Sequence, residues 1–455
     1  MTLPRSTPAE QGVDSRGIDA FVAALDPLPG VETHSLMVVR HGHVVAERWW
    51  RPYGPDRAHL LYSLSKSYTS TALGFAVAEG LVELDATVLS YFPEWKRQVT
   101  DERSRRTRVR DVAAMASGHA DETIDEAVVK GDGDMVLGML LMPPEHEPGS
   151  FFAYNQPCTN ALSAIIRRVT GGTLTDFLAA RLFRPLGIDT YGWWTDRTGR
   201  ELGFSGLHVT TEAIAKLGQL YLSGGGDLLS PEWVAEATRA HVTTEMPNVD
   251  SSQGYGFQFW RSRHGYRGDG AYGQFMVVLP EADAVVAMTS QSPDMQAVLD
   301  QMWIHLLPAL TAEDGPAGPW PTEWPELPGP AGVGAGSRGE WPDLTAPFAG
   351  PPTGTFQHDP VSATHRVRTV QVSPTELILD DGRPLTVPIN DEGGPVIATY
   401  ATAGERQRID VVFVESPHRL RLTLDPATNT FVEDWQTEPL GPTPLGYLRM
   451  PITST

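Results

Sequence analysis

A lysine three residues after a serine, in Ser63-Leu64-Ser65-Lys66, is the pairing in this chain best suited to chemistry. The sequence holds four lysines, Lys66, Lys96, Lys130 and Lys216, and arginine supplies the rest of its 35 basic residues. Arginine keeps its proton in proteins, whereas a buried lysine can release one. Lys66 therefore stands where a proton acceptor is useful. Residues three apart share one face of a helix, so the two side chains meet. A serine hydroxyl is a weak nucleophile until a base lies within hydrogen-bond reach, and Ser63 with Lys66 is the minimal pair that satisfies this. Ser65 and Ser67 lie off the face of Lys66 and compete poorly. The bland alternative is a helix cap followed by a surface lysine.

The elements that must position this pair can be read on either side of it. His34 to Trp50 holds two β-rich runs around the polar turn Arg40-His41-Gly42-His43, which predicts a hairpin. Ser65 to Glu79 is rich in Ala, Ser, Thr and Leu and ends at Gly80, a helix with its stop signal. Ser63 is then expected at the start of a buried helix. Helical periodicity dominates from about Leu81 to Trp233, including Asn160–Val169, Thr175–Leu182 and Glu212–Leu222. Strand character returns at Gly254–Arg263 and at Gln274–Ser290, a hairpin turning at Pro280-Glu281-Ala282-Asp283. An amphipathic helix, Met295 to Leu310, follows. Strands from both ends with helices between them predict one sheet carrying a helical insertion.

Residues 311–353 are dense in Pro, Gly and Trp and have no hydrophobic period, as expected of a linker. Residues 354–455 alternate in short runs separated by turn signals such as Asp381-Gly382, as expected of a small all-β barrel or sandwich. The predicted organisation is α+β: residues 1–310, the linker, and an all-β C-terminal domain.

The formal charge of −21 argues against binding to nucleic acid or an anionic membrane. A single cysteine, Cys158, excludes an intrachain disulfide. The first residues carry no apolar run, and no stretch approaches the roughly 20 apolar residues of a membrane span, so a cytoplasmic location is expected. His41 and His43 have the types of metal ligands but no third ligand nearby, and the reading calls for no metal and no cofactor.

Three further segments stand in order around the Ser63 pair: Arg108-Val-Arg-Asp-Val-Ala-Ala-Met-Ala-Ser-Gly-His119, Glu147-Pro-Gly-Ser-Phe-Phe-Ala-Tyr-Asn-Gln156, and Tyr266-Arg-Gly-Asp-Gly-Ala-Tyr-Gly-Gln274. With Ser-x-x-Lys they resemble the serine β-lactamase-related superfamily. That group includes class C β-lactamases, penicillin-binding proteins such as D-alanyl-D-alanine carboxypeptidases, family VIII esterases and 6-aminohexanoate-dimer hydrolases. The resemblance covers roughly residues 10 to 310 and implies a β-lactamase/transpeptidase-like fold, an antiparallel sheet with a helical insertion. It makes Ser63 the nucleophile, Lys66 its partner, and Tyr154 the tyrosine of the Tyr-x-Asn motif, a proton acceptor and donor. The third motif falls on Gly268-Asp269-Gly270, ahead of an edge strand expected at Gln274–Leu279. It puts Ala271 at the second oxyanion amide, the first being that of Ser63.

Two departures bear on substrate. Tyr154-Asn155-Gln156 has glutamine where the family has asparagine, and either Asn155 or Gln156 is a candidate for contact with the substrate amide. Gly268 replaces the usual Lys or His that helps the family hold a substrate carboxylate, and Asp269 repels such a group unless Arg267 swings in. The expected activity is hydrolysis of a small ester or amide through a Ser63 acyl-enzyme, with little action on lactams. D-amino-acid peptidase or β-lactamase activity, and a catalytically silent binding module, are the alternatives. Of the aromatics Trp193, Trp194, Tyr255, Trp260 and Tyr272, the last is the best candidate for a pocket wall. Oligomeric state is not legible.

Overall fold

The computed structural model describes residues 2–311, 353–359, 366–389, 393–403, 406–441 and 443–451. The expected hairpin forms from β1 (Glu32–Arg40) and β2 (His43–Trp49). His41 and Gly42 take left-handed φ angles of 50° and 75° at its turn, which suits the right-handed twist of the flanking strands. Short strands β3 (His59–Leu60), β4 (Tyr191–Trp193) and β5 (Leu207–Val209) make a separate three-stranded sheet.

From the far end of residues 1–310 come β6 (Trp260–Arg261), β7 (Tyr266–Gly270), β8 (Gln274–Leu279) and β9 (Ala284–Gln291). They join the hairpin in a six-stranded antiparallel sheet of order β2-β1-β9-β8-β7-β6. Pairing of β1 with β9 closes the sheet around everything between them, so the helices of the insertion pack as one body on one face. Strand character at Gly254–Arg263 is confined to Trp260–Arg261; the rest of that stretch makes bends and isolated bridges. β8 is also not an edge. It lies between β7 and β9 with every residue buried.

Both faces of this sheet are covered, which explains the continuous burial of β8 and β9. Helix Ser15–Leu25 and the C-terminal helical run from Met295 to Thr311 pack Phe21, Val22, Leu299 and Leu306 on one face. The other face carries the insertion, with Tyr68, Leu73, Leu162, Ile165, Leu217 and Phe259 in one core. At its centre lies helix Ser65–Ala78, buried from Ser65 to Ala76. A helix buried all round has no amphipathic stripe, and its hydroxyls tie it to neighbours instead: Thr69 Oγ1 donates to the Gly203 carbonyl at 2.8 Å.

The C-terminal region is an eight-stranded sheet, β10 (Gly354–His358), β11 (Thr369–Val372), β12 (Glu376–Asp380), β13 (Pro384–Pro388), β14 (Val396–Ala403), β15 (Arg406–Phe413), β16 (Arg419–Asp425) and β17 (Thr430–Thr437). Its order is β13-β12-β11-β10-β17-β16-β15-β14, and a bridge from Ile389 to Ala398 links the two outer strands, so the sheet curls into a barrel. Alternating residues such as Leu377, Leu379, Ile409, Val411, Leu420 and Leu422 fill its interior. The stretch expected to be a linker lies, apart from its two end residues, outside the described residues.

The barrel sits against the sheet β3-β4-β5. The Leu60 amide donates to the Glu415 carbonyl at 2.7 Å, and Trp194 Nε1 donates to the Tyr447 carbonyl at 2.8 Å. Arg419 pairs with Glu32 at the start of β1, which ties the barrel to the six-stranded sheet as well.

Candidate active site

Between Ala58 and Ala76 every residue is buried except Ser63, which is partly exposed. It lies in a single 3-10 turn, Tyr62–Leu64, that joins β3 to helix Ser65–Ala78. Tyr62 reaches this turn with φ of 47°, the left-handed region, which for a bulky L residue costs about 1–3 kcal/mol. The chain thus turns sharply just before Ser63 and lifts that one side chain out of the packed layer.

Lys66 Nζ lies 2.9 Å from Ser63 Oγ and donates at 3.0 Å to the Phe204 carbonyl. It is 1% exposed. Burial lowers its amine to about 7, against weaker opposing pulls from the carboxylates of Glu122 and Asp269. Near neutrality an appreciable share of the amine is therefore unprotonated and able to accept a proton. Ser65 and Ser67 are committed elsewhere. Ser65 Oγ accepts the Leu207 amide at 3.0 Å, and Ser67 Oγ donates to the Gln258 carbonyl at 3.1 Å.

Tyr154 comes from the segment that leads into helix Gln156–Thr170. Its ring centroid is 4.7 Å from Lys66 Nζ, and it stacks on Trp260 at 5.4 Å with Tyr255 edge-on at 6.1 Å. Burial, then the charge of Asp269, pushes its hydroxyl above the ordinary phenol range, while a hydrogen bond with Ser63 works the other way. Three side-chain ends from two distant stretches of chain converge here.

Asn155 and Gln156 are no longer equivalent. Asn155 is fully buried, and its Oδ1 accepts from the Thr123 amide and hydroxyl at 3.0 and 2.9 Å. Gln156 is partly exposed, and its buried Oε1 has no hydrogen-bond partner among the described residues. The Gln156 amide donates to Glu122 at 3.1 Å, one of several backbone donors that hold this carboxylate at the helix start.

On β7 alternate residues face opposite ways. Gly268 and Gly270 face helix Ser65–Ala78 and the turn before it. A Cβ on Gly270 would lie 1.9 Å from the Leu61 carbonyl oxygen, so only glycine lets β7 run this close to the Ser63 turn. Asp269 faces the other way, and its charge reaches both Lys66 and Tyr154. Arg267 does not swing toward a ligand. It is 2% exposed and donates to Asp269 Oδ2 at 2.7 Å, to Ser262 and Ser251 hydroxyls, and to the carbonyls of Asp250 and Arg261. Restoring the missing cation is expected to fail for a related reason. A Cβ on Gly268 would lie 2.4 Å from Ser67 Oγ and 2.6 Å from Leu64 Cδ1. Gly268→Lys should lower the Tm by several degrees and gain no action on β-lactams, measured by thermal denaturation and by turnover of nitrocefin and benzylpenicillin.

Ala271 and Tyr272 follow at the partly exposed end of β7, with Tyr272 at φ of 68° and its hydroxyl donating to the Glu438 carbonyl at 2.6 Å. Tyr272 thus bridges to the barrel by hydrogen bonding. Trp193 is buried in the core, and Tyr255 and Trp260 buttress Tyr154.

A model of the Beta-lactamase family matches residues 18–309. The chain belongs to the β-lactamase family. It is 29% identical over 322 residues to the 6-aminohexanoate-dimer hydrolase of Paenarthrobacter ureafaciens, covering 64% of this chain and 80% of that protein. It is 26% identical over 200 residues to the lovastatin esterase of Penicillium rubens, covering 39% of this chain and only 50% of that one. Among solved structures, EstCE1, described as a hydrolase with promiscuous acyltransferase activity, superposes with a TM-score of 0.55 at 16% identity, over 64% of this chain and 98% of that one. The fold is accordingly β-lactamase/transpeptidase-like with an all-strand C-terminal region, and the protein is a serine hydrolase of the β-lactamase family.

Three features of the site had no signal in the sequence. Glu122 lies in an acidic surface stretch that reads as solvated, the Phe204 carbonyl is backbone, and the barrel's approach to Tyr62 and Tyr272 joins residues more than 150 positions apart. His41 and His43 are occupied within the hairpin region. His43 Nδ1 meets the His41 carbonyl at 2.9 Å, and His41 Nδ1 meets Gln11 Oε1 at 3.2 Å. Cys158 is buried, which pushes its thiol up to about 12. Among the described residues no helix is long and apolar enough to cross a membrane.

Proposed function

We propose that the protein hydrolyses a small ester or amide through an acyl-enzyme on Ser63. The observation that carries this is the 2.9 Å approach of a buried, easily deprotonated Lys66 amine to the one partly exposed hydroxyl of the segment. Ser63 Oγ attacks the substrate carbonyl carbon as its proton passes to the Lys66 amine. The negative charge forming on the carbonyl oxygen is met by the amides of Ser63 and Ala271, each worth roughly 3–4 kcal/mol in such a role. Tyr154 relays the proton to the departing oxygen or nitrogen, and the C–O or C–N bond breaks. Water then adds to the acyl carbon by the reverse proton path, releasing the acid and Ser63.

Gln156 is the better candidate to hold a substrate amide, because it is partly exposed whereas Asn155 is fully buried. The charge around the reacting centre selects against acids. The carboxylates of Asp269 and Glu122 are both felt at Lys66 and Tyr154, and position 268 offers no cation. Neutral or ammonium-bearing esters and amides are therefore favoured over substrates with a carboxylate beside the scissile bond. Turnover of p-nitrophenyl butyrate and of an amino-acid anilide should exceed that of benzylpenicillin by about 100-fold in kcat/KM, as expected for about 3 kcal/mol of charge discrimination. A penicillin hydrolysed faster than both would overturn the substrate assignment.

A further inference from the structure

We propose that His418, carried by the C-terminal barrel, is a positioning residue for acylation. The proposal rests on the reading of Ser63 and Ala271 given above. Both of those residues adjoin a tyrosine in the left-handed region: Tyr62 precedes Ser63 with φ of 47°, and Tyr272 follows Ala271 with φ of 68°. A tyrosine gains nothing locally from such a conformation, so surrounding contacts must hold it there.

Apart from the bond of the Tyr272 hydroxyl to the Glu438 carbonyl, those contacts meet at one imidazole. Tyr62 Oη lies 2.5 Å from His418 Nε2, and the two rings are edge-on with centroids 5.8 Å apart. The ring of Tyr272 lies edge-on to the same imidazole at 5.5 Å and to Tyr62 at 5.6 Å. His418 is itself oriented from the barrel. Its Nδ1 lies 2.9 Å from the Thr437 carbonyl, which only accepts, so Nδ1 carries the proton and Nε2 takes the Tyr62 hydroxyl proton as a hydrogen bond. Full burial keeps the ring neutral, its basicity lowered to about 3, in agreement with this tautomer.

The barrel thus clamps the residues that flank both oxyanion amides. The clamp fixes how far apart those amides lie, a distance on which their joint action on one oxygen depends. None of these groups touches the reacting atoms.

The test compares full-length His418→Ala, His418→Gln and Tyr62→Phe with the wild type. Stopped-flow acylation by p-nitrophenyl butyrate gives the chemical step, and steady-state kinetics give kcat and KM separately. His418→Ala should slow acylation about 10- to 100-fold with the substrate dissociation constant from the stopped-flow titration within twofold, a loss of the size that small misplacements of catalytic groups cause. His418→Gln, whose side-chain oxygen can take the Tyr62 proton, should recover most of that rate. Tyr62→Phe removes the hydrogen bond while leaving the barrel untouched, should be slow to a similar degree, and remains informative where His418→Ala does not fold. Acylation within twofold of wild type in a folded His418→Ala or in Tyr62→Phe overturns the proposal, as does loss that His418→Gln fails to recover. Fluorophosphonate labelling separates the two readings. Failure of the wild type to label at Ser63 sinks the function itself, whereas normal labelling with normally acylating variants sinks only the role of His418.

Discussion

Ser63→Ala should abolish turnover, with kcat falling by roughly six orders of magnitude toward the uncatalysed rate, as losses of activated serines do. The size follows from what Ser63 does in the proposed path, since every later step acts on a bond made to its oxygen. The fold should survive. Ser63 is partly exposed and its described side-chain contacts are with Lys66 and Tyr154, so the change opens no core cavity. Circular dichroism and Tm near those of the wild type, together with loss of fluorophosphonate labelling and of ester hydrolysis, is the expected set. Labelling that persists in Ser63→Ala would move the nucleophile elsewhere. The neighbouring serines are poor substitutes, because both hydroxyls are buried and bonded to backbone groups.

Replacing Lys66 gives the second large effect, and pH shows its cause. The proposed base works unprotonated, and its amine sits near 7, so log kcat/KM should rise with pH below about 7 and flatten above it. Lys66→Arg retains the charge and loses the base, since a guanidinium does not deprotonate. A drop of about 1,000-fold or more at pH 7 is expected, without the acid limb near 7. A variant keeping a tenth of wild-type activity with the same limb would assign the base to another group.

The same burial predicts how stability changes with pH. Folded Lys66 lets go of its proton near 7, whereas the unfolded side chain holds it to about 10.5. Between those values the unfolded chain binds more protons, so this lysine makes stability rise with pH across that window. Below it, the full cost of burying a charged amine is felt. Tm measured from pH 6 to 10 in the wild type and in Lys66→Met should differ in slope, with the rising component missing from the variant. Equal slopes would mean that Lys66 is not desolvated in solution as it is here.

How much of this was legible beforehand follows from the range over which each signal acts. Ser63, Lys66 and the helix after them are local: spacing puts two side chains on one face, and Gly80 ends the helix within the same short segment. The hairpins around His41 and Asp283, the helical insertion and the alternating C-terminal strands are local too, since period and turn chemistry are written within a few residues. Tyr154 is recognisable only through the motif around it. Where the sequence allowed two answers, packing chose. Asn155 and Gln156 are alike in chemistry, and only burial against Thr123 removes the first from the opening. Strand order has the same character. The apolar run Gln274–Leu279 fits an edge or an interior strand equally well, and the sheet places it inside.

The amino-acid sequence alone determined the class of the fold, the serine and lysine on one helical turn, and the lack of a cation at position 268. Each of these is a property of neighbours along the chain. Tertiary structure alone decided that the lysine is dry enough to act as a base, that Arg267 is locked on Asp269, and that His418 reaches Tyr62 across 356 positions. Desolvation, ion pairing and side-chain contact depend on distance in space, and residue order carries no direct record of that distance.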